Sequence, residues 1–138
     1  MSTKTVMVVD DSEADLLFTR IMLERCGAGF GVCQFESAPE ALRYLQQDWG
    51  AVGLILLDIN MPRMNGWEFL EAYGELVREL ARGRVAHPTV VMLSSSPDPD
   101  DQARALACPW VSGYIEKPLD LAQAAALDRY FGAVDVGA

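Results

Sequence analysis

Three runs of consecutive apolar residues constrain the fold of this 138-residue chain more than any other feature. Each run is four residues long and contains no polar position, so each suits a strand that is buried on both faces of a sheet. Two further segments alternate apolar and polar residues, which is typical of strands at the edge of a sheet. The continuous runs are Val6–Val9, Leu54–Leu57 and Val90–Leu93, and the alternating ones are Val32–Phe35 and Tyr114–Glu116.

Segments with apolar residues at helical spacing separate and follow these strands. Ser12 and Ser37 stand where helix N-caps are expected, and Gly27 and Gly29 follow the first helix as stop signals. The segment from Asp98 to Ala107 has the weakest helical pattern. In the other four helices, the faces predicted to pack on the sheet are Ala14, Leu17, Phe18, Ile21 and Met22; Ala38, Ala41, Leu42 and Leu45; Phe69, Tyr73, Leu76 and Leu80; and Leu121, Ala124, Leu127 and Phe131.

The order of these elements is βαβαβαβαβα, which predicts an α/β fold with a five-stranded parallel sheet and helices on both faces. Strands one, three and four read as central and strands two and five as edges, a pattern that the doubly wound order 2-1-3-4-5 satisfies. The length suits one domain over residues 1–138, with a core of about 4–131. No effector domain, such as a DNA-binding helix-turn-helix, is expected after it.

The composition narrows the classes of partner. The formal net charge of -9 argues against binding to DNA or to an anionic membrane surface, which both require clustered basic residues. No apolar stretch approaches a membrane span and no charged-then-apolar leader opens the chain, so we expect a cytoplasmic protein. A zinc site or a disulfide is not expected from one histidine and three scattered cysteines, His87, Cys26, Cys33 and Cys108.

Polar side chains stand where four of the predicted strands end. Asp10 and Asp11 follow the first strand, Asp58 follows the third, Ser94 follows the fourth and Lys117 follows the fifth. In open parallel sheets, ligands bind at the carboxyl ends of the strands, at the point where the strand order reverses. We therefore expect three carboxylates, a hydroxyl and an ammonium to meet in one pocket.

This set of side chains indicates phosphoryl chemistry. Three neighbouring carboxylates repel one another, and an oxygen-ligated divalent cation such as Mg²⁺, or Mn²⁺ in its place, relieves that repulsion. Lys117 and Ser94 would then stabilise phosphoryl oxygens, and Asp58 could attack phosphorus to form an acyl phosphate. Each residue alone has an ordinary reading as a turn, helix-start or strand-end residue. Only their joint occurrence at the correct strand ends supports the hypothesis.

With these residues in this order, the chain resembles the receiver domain of two-component response regulators, of the stand-alone single-domain type. The resemblance covers nearly the whole chain, and its motifs are specific as an ordered set. The segments that carry it are VMVVDDSEAD (6–15), LLDINMPRMNG (56–66), HPTVVMLSSS (87–96) and SGYIEKPLD (112–120).

The resemblance implies a phosphoacceptor and a metal site. Asp58 would accept the phosphoryl group. Asp11 and Asp58 would bind Mg²⁺ directly, together with the main-chain carbonyl of Asn60. Asp10 would act mainly through a coordinated water.

It also implies roles for residues around the phosphoryl group. Ser94 would donate a hydrogen bond to that group and Lys117 would form an ion pair with it. Tyr114 would be the switch residue, moving inward as Ser94 is drawn to the phosphoryl group. Asn60 and Ser96 would flank the path of the attacking water and tune dephosphorylation. The Lys117–Pro118 bond is expected to be cis.

The implied function is that of a signal transducer and not of an enzyme with a separate substrate. A sensor histidine kinase would donate the phosphoryl group, which the protein would slowly hydrolyse. The face of helix four, strand five and helix five would pass the signal to a downstream protein or a phosphotransfer protein. Leu127, Tyr130 and Phe131 could form a homodimer interface through helices four and five. It is equally consistent with the sequence that these residues only pack the last helix on the sheet.

Three alternative functions use similar elements but fit the sequence less well. An aspartyl phosphatase of the haloacid dehalogenase type needs a second acid two residues after its nucleophile, where this chain has Asn60. A flavodoxin-like cofactor binder needs a neutral phosphate-binding loop, whereas Asp10–Glu13 is anionic. A degenerate receiver that serves only as a docking module is disfavoured by the intact set of residues.

Overall fold

A computed structural model describes residues 4–61, 63–80 and 88–131, so His87 lies outside the described residues. The predicted alternation of strands and helices is confirmed. Among the described helices, none combines the length and the apolar character that a membrane span requires. The elements are β1 (Thr5–Val9), α1 (Glu13–Arg25), β2 (Gly31–Phe35), α2 (Ala38–Gln47), a 3₁₀ turn (Trp49–Ala51), β3 (Leu54–Leu57), α3 (Gly66–Leu80), β4 (Thr89–Ser94), α4 (Pro99–Ala107), β5 (Val111–Glu116) and α5 (Leu121–Ala126).

The five strands form one parallel sheet in the order β2-β1-β3-β4-β5, which confirms the predicted topology. The three central strands are buried almost throughout, whereas most of β2 and β5 is only partly buried. This contrast explains why continuous apolar runs mark the centre of the sheet and alternating segments mark its edges. The strand order reverses between β1 and β3, so a crevice is expected at their carboxyl ends.

Alternate residues of each central strand feed two separate apolar layers. Met7, Ile55 and Met92 face the layer that α2, α3 and α4 cover. Their neighbours in the strands face the opposite layer, which α1 and α5 cover. Because both faces are packed, the carboxyl ends of the strands are held in fixed relative positions.

The helix boundaries follow the predicted signals. The Ser12 hydroxyl accepts a hydrogen bond from the backbone N–H of Asp15 at 3.3 Å, which caps α1. The Ser37 hydroxyl caps α2 in the same way at 3.4 Å. After α1, Gly27 and Gly29 adopt φ values of +85° and +79°, a conformation that side chains disfavour.

The predicted core-facing side of α1 is wrong in its first two turns, although Met22 does pack against the core. Leu16, Thr19 and Leu23 are the buried residues of the helix, whereas Leu17 and Phe18 are 60% and 43% exposed. Apolar residues occur on both sides of α1, so their spacing alone selects no single face. Contact with the sheet selects the side that carries Leu16 and Leu23. The predicted faces of α2 and α3 are confirmed, because their residues are buried or pack against the core.

The apolar residues that suggested a dimer surface instead pack the end of the chain on the sheet. Leu127 is 1% exposed. Phe131 and Tyr130 pack against the same core layer, and the ring centroid of Phe131 lies 5.6 Å from that of Phe30. These contacts favour the reading that the three residues pack the last helix on the sheet, and the homodimer through helices four and five stays a prediction. Of the predicted face of α5, Ala124 and Leu127 are buried but Leu121 is 46% exposed.

Candidate functional site

Sheet register places two acidic residues side by side at the reversal point. Val9 pairs with Leu57, so Asp10 and Asp58 come next on adjacent strands. The backbone N–H of Asp58 donates to the carbonyl of Val9 at 3.0 Å, and that of Asp10 donates to the carbonyl of Phe35 at 3.1 Å. Asp58 is 6% exposed and Asp10 is 2% exposed. Both carboxylates are therefore held by the sheet in a nearly dry crevice.

Asp11 completes a group of three carboxylates. Asp10, Asp11 and Asp58 each offer one oxygen, and these oxygens lie within 4.8 Å of one another. Asp11 is exposed, so one side of the group faces solvent. A divalent cation of the Mg²⁺ type prefers a few carboxylate oxygens with open positions for water or phosphate. The donor set and its open side fit such an ion.

Lys117 reaches into this group from the last strand. Its backbone N–H donates to the carbonyl of Ser94 at 2.9 Å, which ties the ends of β4 and β5 together. The predicted cis Lys117–Pro118 bond is confirmed. The ammonium donates hydrogen bonds to Asp10 at 2.6 Å and to Asp15 at 2.8 Å. It also lies 3.7 Å from Oδ1 of Asp58.

Asp15 is the residue of this site that the sequence analysis missed. It lies in the first turn of α1, four residues after Asp11. Asp11 precedes the N-cap Ser12, so helical spacing does not relate it to Asp15, and the available signal was an acid in the first turn of a helix that starts where a central strand ends. Strand ends alone do not identify Asp15, because it reaches the pocket from a helix.

Burial and neighbouring charge oppose the ionisation of Asp58. Burial raises the pKa of its carboxyl, the charge of Asp10 raises it further, and Lys117 lowers it only in part, so the pKa is raised to about 6. Burial by itself lowers the pKa of Lys117, but its hydrogen bonds to Asp10 and Asp15 outweigh that effect, so the pKa is raised. The site thus combines a destabilised carboxylate with a firmly protonated lysine.

A comparison with known protein families identifies this arrangement. The model of the response regulator receiver domain matches residues 6–127, which is most of the chain. The chain belongs to the response regulator receiver family. The matched range includes the strand ends that form the acidic crevice and the helices of both layers.

Named relatives and solved structures resemble this receiver over most of its length. It is 31% identical over 120 residues to the sensor protein GacS of Pseudomonas syringae pv. syringae, covering 87% of this chain and 12% of that protein. It is 28% identical over 120 residues to the two-component response regulator ORR1 of Oryza sativa subsp. japonica, covering 83% and 49%. The receiver therefore spans less than half the length of these two relatives.

Solved structures share the fold of the receiver. The two-component response regulator of Cytophaga hutchinsonii has a TM-score of 0.80 and 26% identity, with 99% of each chain covered. The response regulator receiver protein of Dyadobacter fermentans has a TM-score of 0.77 and 33% identity, with 94% of this chain and 98% of that chain covered.

The loop after β4 connects two residues that were predicted to form the switch of the receiver. Ser94 is fully buried, and its hydroxyl oxygen accepts a hydrogen bond from the backbone N–H of Ser96 at 3.1 Å. The hydroxyl of Tyr114 donates to the carbonyl of Ser96 at 3.0 Å. The Ser96 hydroxyl bonds the carboxylate of Asp101 on α4 at 2.7 Å. A shift of Ser94 would therefore strain a network that reaches both β5 and α4.

The loop after β3 holds the backbone close to Asp58. Asn60 is exposed, and its backbone hydrogen bond to the Asp58 carboxylate lowers the pKa of that group. The N–H of Gly66, the first residue of α3, donates to the carbonyl of Ile59 at 2.8 Å. A Cβ at position 66 would lie 2.7 Å from the carbonyl oxygen of Asp58, so only glycine fits there. The predicted metal contact through the Asn60 carbonyl stays a prediction.

Proposed function

We propose that this receiver accepts a phosphoryl group on Asp58 from a phosphohistidine of a partner sensor histidine kinase, in a reaction that depends on Mg²⁺. One observation carries the proposal. A buried carboxylate with a pKa raised to about 6 lies within 4.8 Å of two further acids, with the ammonium of Lys117 3.7 Å from its oxygen. Bound cations would stabilise such a group, and together with the ammonium of Lys117 they would also balance the added negative charge of the acyl phosphate, a mixed anhydride.

The proposed transfer is a displacement at phosphorus. An oxygen of the Asp58 carboxylate forms a bond to phosphorus while the bond between phosphorus and the imidazole nitrogen breaks. The electron pair of that bond stays on the imidazole. Above its pKa of about 6, Asp58 is ionised and needs no base to activate it. Water later attacks the same phosphorus, which returns the carboxylate and releases inorganic phosphate.

The residues around Asp58 supply charge stabilisation. Asp10, Asp11 and Asp58 would hold Mg²⁺, with Mn²⁺ as a substitute and the Asn60 carbonyl as a further ligand. The ion, when bound, would neutralise the carboxylates and draw charge from the phosphoryl oxygens. The side chain of Lys117 is 11% exposed, and its ammonium would pair with the phosphoryl group from another side.

The proposed output begins at Ser94. Its hydroxyl proton would bond the phosphoryl group, which would pull the loop after β4 and the hydrogen bond from Tyr114 to Ser96. The face formed by α4, β5 and α5 would then change the proteins it binds, downstream proteins or phosphotransfer proteins among them. Asn60 and Ser96 would tune the lifetime of the phosphoryl group.

The first experiment measures the intact mass of the protein after incubation with acetyl phosphate. We expect a single phosphoryl adduct that requires Mg²⁺, is removed by hydroxylamine as an acyl phosphate is, and is absent from Asp58→Asn. The matched control is Asp100→Asn, an exposed acid in the first turn of α4, which should be phosphorylated like the wild type.

The outcomes separate the readings. An adduct that resists hydroxylamine would indicate a phosphoserine and contradict the assignment of Asp58. No adduct on the wild type, with folding confirmed by circular dichroism, would favour a receiver that only docks. Repeated release of phosphate from added phosphate esters would support the aspartyl phosphatase, which the position of Asn60 disfavours.

A further inference from the structure

Lys117 has one carboxylate partner that the proposed chemistry does not use. Its ammonium lies 2.8 Å from Oδ2 of Asp15, on α1, as well as 2.6 Å from Oδ2 of Asp10. We propose that Asp15 is a positioning residue that holds Lys117 in a resting position and competes for it with the phosphoryl group on Asp58. This inference rests on the proposed function, because it concerns the same phosphoryl group.

The distances show how the ammonium divides its hydrogen bonds. It has three N–H donors, and two are directed to Asp10 and Asp15. Oδ1 of Asp58 lies at 3.7 Å, which is too far for a good hydrogen bond. In the resting state, Lys117 is therefore bonded to two acids other than the phosphoacceptor.

The two partners differ in how easily they can release Lys117. The side chain of Asp10 is 3% exposed, whereas that of Asp15 is 46% exposed. A buried carboxylate that loses its cation stays uncompensated, but an exposed carboxylate is rehydrated. When Lys117 turns to a phosphoryl group, its bond to Asp15 is thus the one expected to break. That bond then opposes the turn.

The backbone keeps Asp15 in place for this role. Asp15 lies in the first turn of α1, and its backbone N–H is bonded to the N-cap Ser12. Glu13 lies in the same turn and is exposed. A neutral residue at position 13 removes the same charge from the same helix end. The pair Asp15→Asn and Glu13→Gln therefore separates the contact with Lys117 from the general effect of charge near the pocket.

The test measures the dissociation constant for beryllofluoride, a phosphoryl analogue, in excess Mg²⁺ by fluorine NMR. We expect Asp15→Asn to bind about threefold more tightly than Glu13→Gln, a change in the range that partly exposed ion pairs contribute. Asp15→Glu, which keeps the carboxylate, should bind like the wild type. In a Lys117→Met background, Asp15→Asn and Glu13→Gln should have equal dissociation constants.

A metal-free measurement checks the resting contact. Urea unfolding in EDTA of Asp15→Asn, Lys117→Met and the double variant should give a non-zero coupling between the two positions. Equal beryllofluoride binding by Asp15→Asn and Glu13→Gln, weaker binding by Asp15→Asn, or zero coupling would each overturn the competition. If the wild type bound no beryllofluoride, the proposed function would itself fail, and this inference with it.

Discussion

Asparagine in place of Asp58 should make the metal-free protein more resistant to unfolding at neutral pH. The wild-type carboxylate is 6% exposed and lies beside Asp10 and Asp11, and Lys117 offsets their repulsion only in part. Its pKa rises from an ordinary value of 3.8 to about 6. That difference corresponds to about 3 kcal/mol of folding free energy. Asparagine has nearly the same shape and carries no charge, so it avoids this cost.

The sign of the pH dependence follows from the direction of the shift. The folded protein binds the Asp58 proton more tightly than the unfolded chain does. At a pH below 3.8, both states are protonated and wild type and variant should unfold alike. As the pH rises from 3.8 to about 6, the wild type progressively loses stability relative to the variant. Above that range, the difference is constant at up to about 3 kcal/mol.

Urea unfolding in EDTA at about pH 4 and about pH 7.5 measures this difference. The control is Glu71→Gln, an exposed acid on α3, which should change the unfolding free energy by less than about 0.5 kcal/mol at either pH. An Asp58→Asn variant that is no more stable than the wild type at the higher pH would refute the reasoning, because the carboxylate would then not be destabilised by its surroundings.

Magnesium should act on the same destabilised carboxylate. At ten times its dissociation constant, an ion that binds only the folded state adds about 1.4 kcal/mol to the unfolding free energy. We expect this gain in the wild type and a smaller gain in Asp58→Asn at the same Mg²⁺ concentration, because the variant has lost one anionic ligand. Equal gains in the two proteins would place the ion away from Asp58.

Five further substitutions, two of them matched controls, test the packing of the receiver by urea unfolding. Gly66→Ala places a methyl group 2.7 Å from the Asp58 carbonyl oxygen and should lower the unfolding free energy by about 1–3 kcal/mol. The control Gly50→Ala, whose Cβ has nothing within 4 Å, should lower it by less than about 1 kcal/mol. Equal losses would contradict the close approach at position 66. Leu16→Ala should cost about 2–4 kcal/mol and Leu17→Ala less than about 1, and the reverse order would restore the face of α1 predicted from sequence. Tyr114→Phe removes one hydrogen bond to the loop after β4 and should cost about 1 kcal/mol. It should also weaken the response of α4 to beryllofluoride in amide NMR spectra, and an unchanged response would exclude Tyr114 from the switch.

Most residues of the pocket could be predicted from the sequence, because they stand directly at the ends of the strands. The apolar runs predicted which strands are central, and that pattern together with right-handed crossovers predicted the strand order. Once the order is known, the residues that follow β1, β3 and β5 must meet at one edge of the sheet. Asp10, Asp58 and Lys117 could therefore be placed together without coordinates.

What the sequence alone determined is the set of elements, their order and the residues at the strand ends, because these depend on local pattern and on the geometry of parallel sheets. The tertiary structure alone decided which face of α1 is buried, since apolar residues lie on both sides of that helix and only contact with the sheet selects Leu16 over Leu17. It also decided that Leu127 completes the core. Finally, it brought Asp15 to Lys117, 102 residues away along the chain, because α1 packs beside α5 and starts at the edge of the sheet where β5 ends.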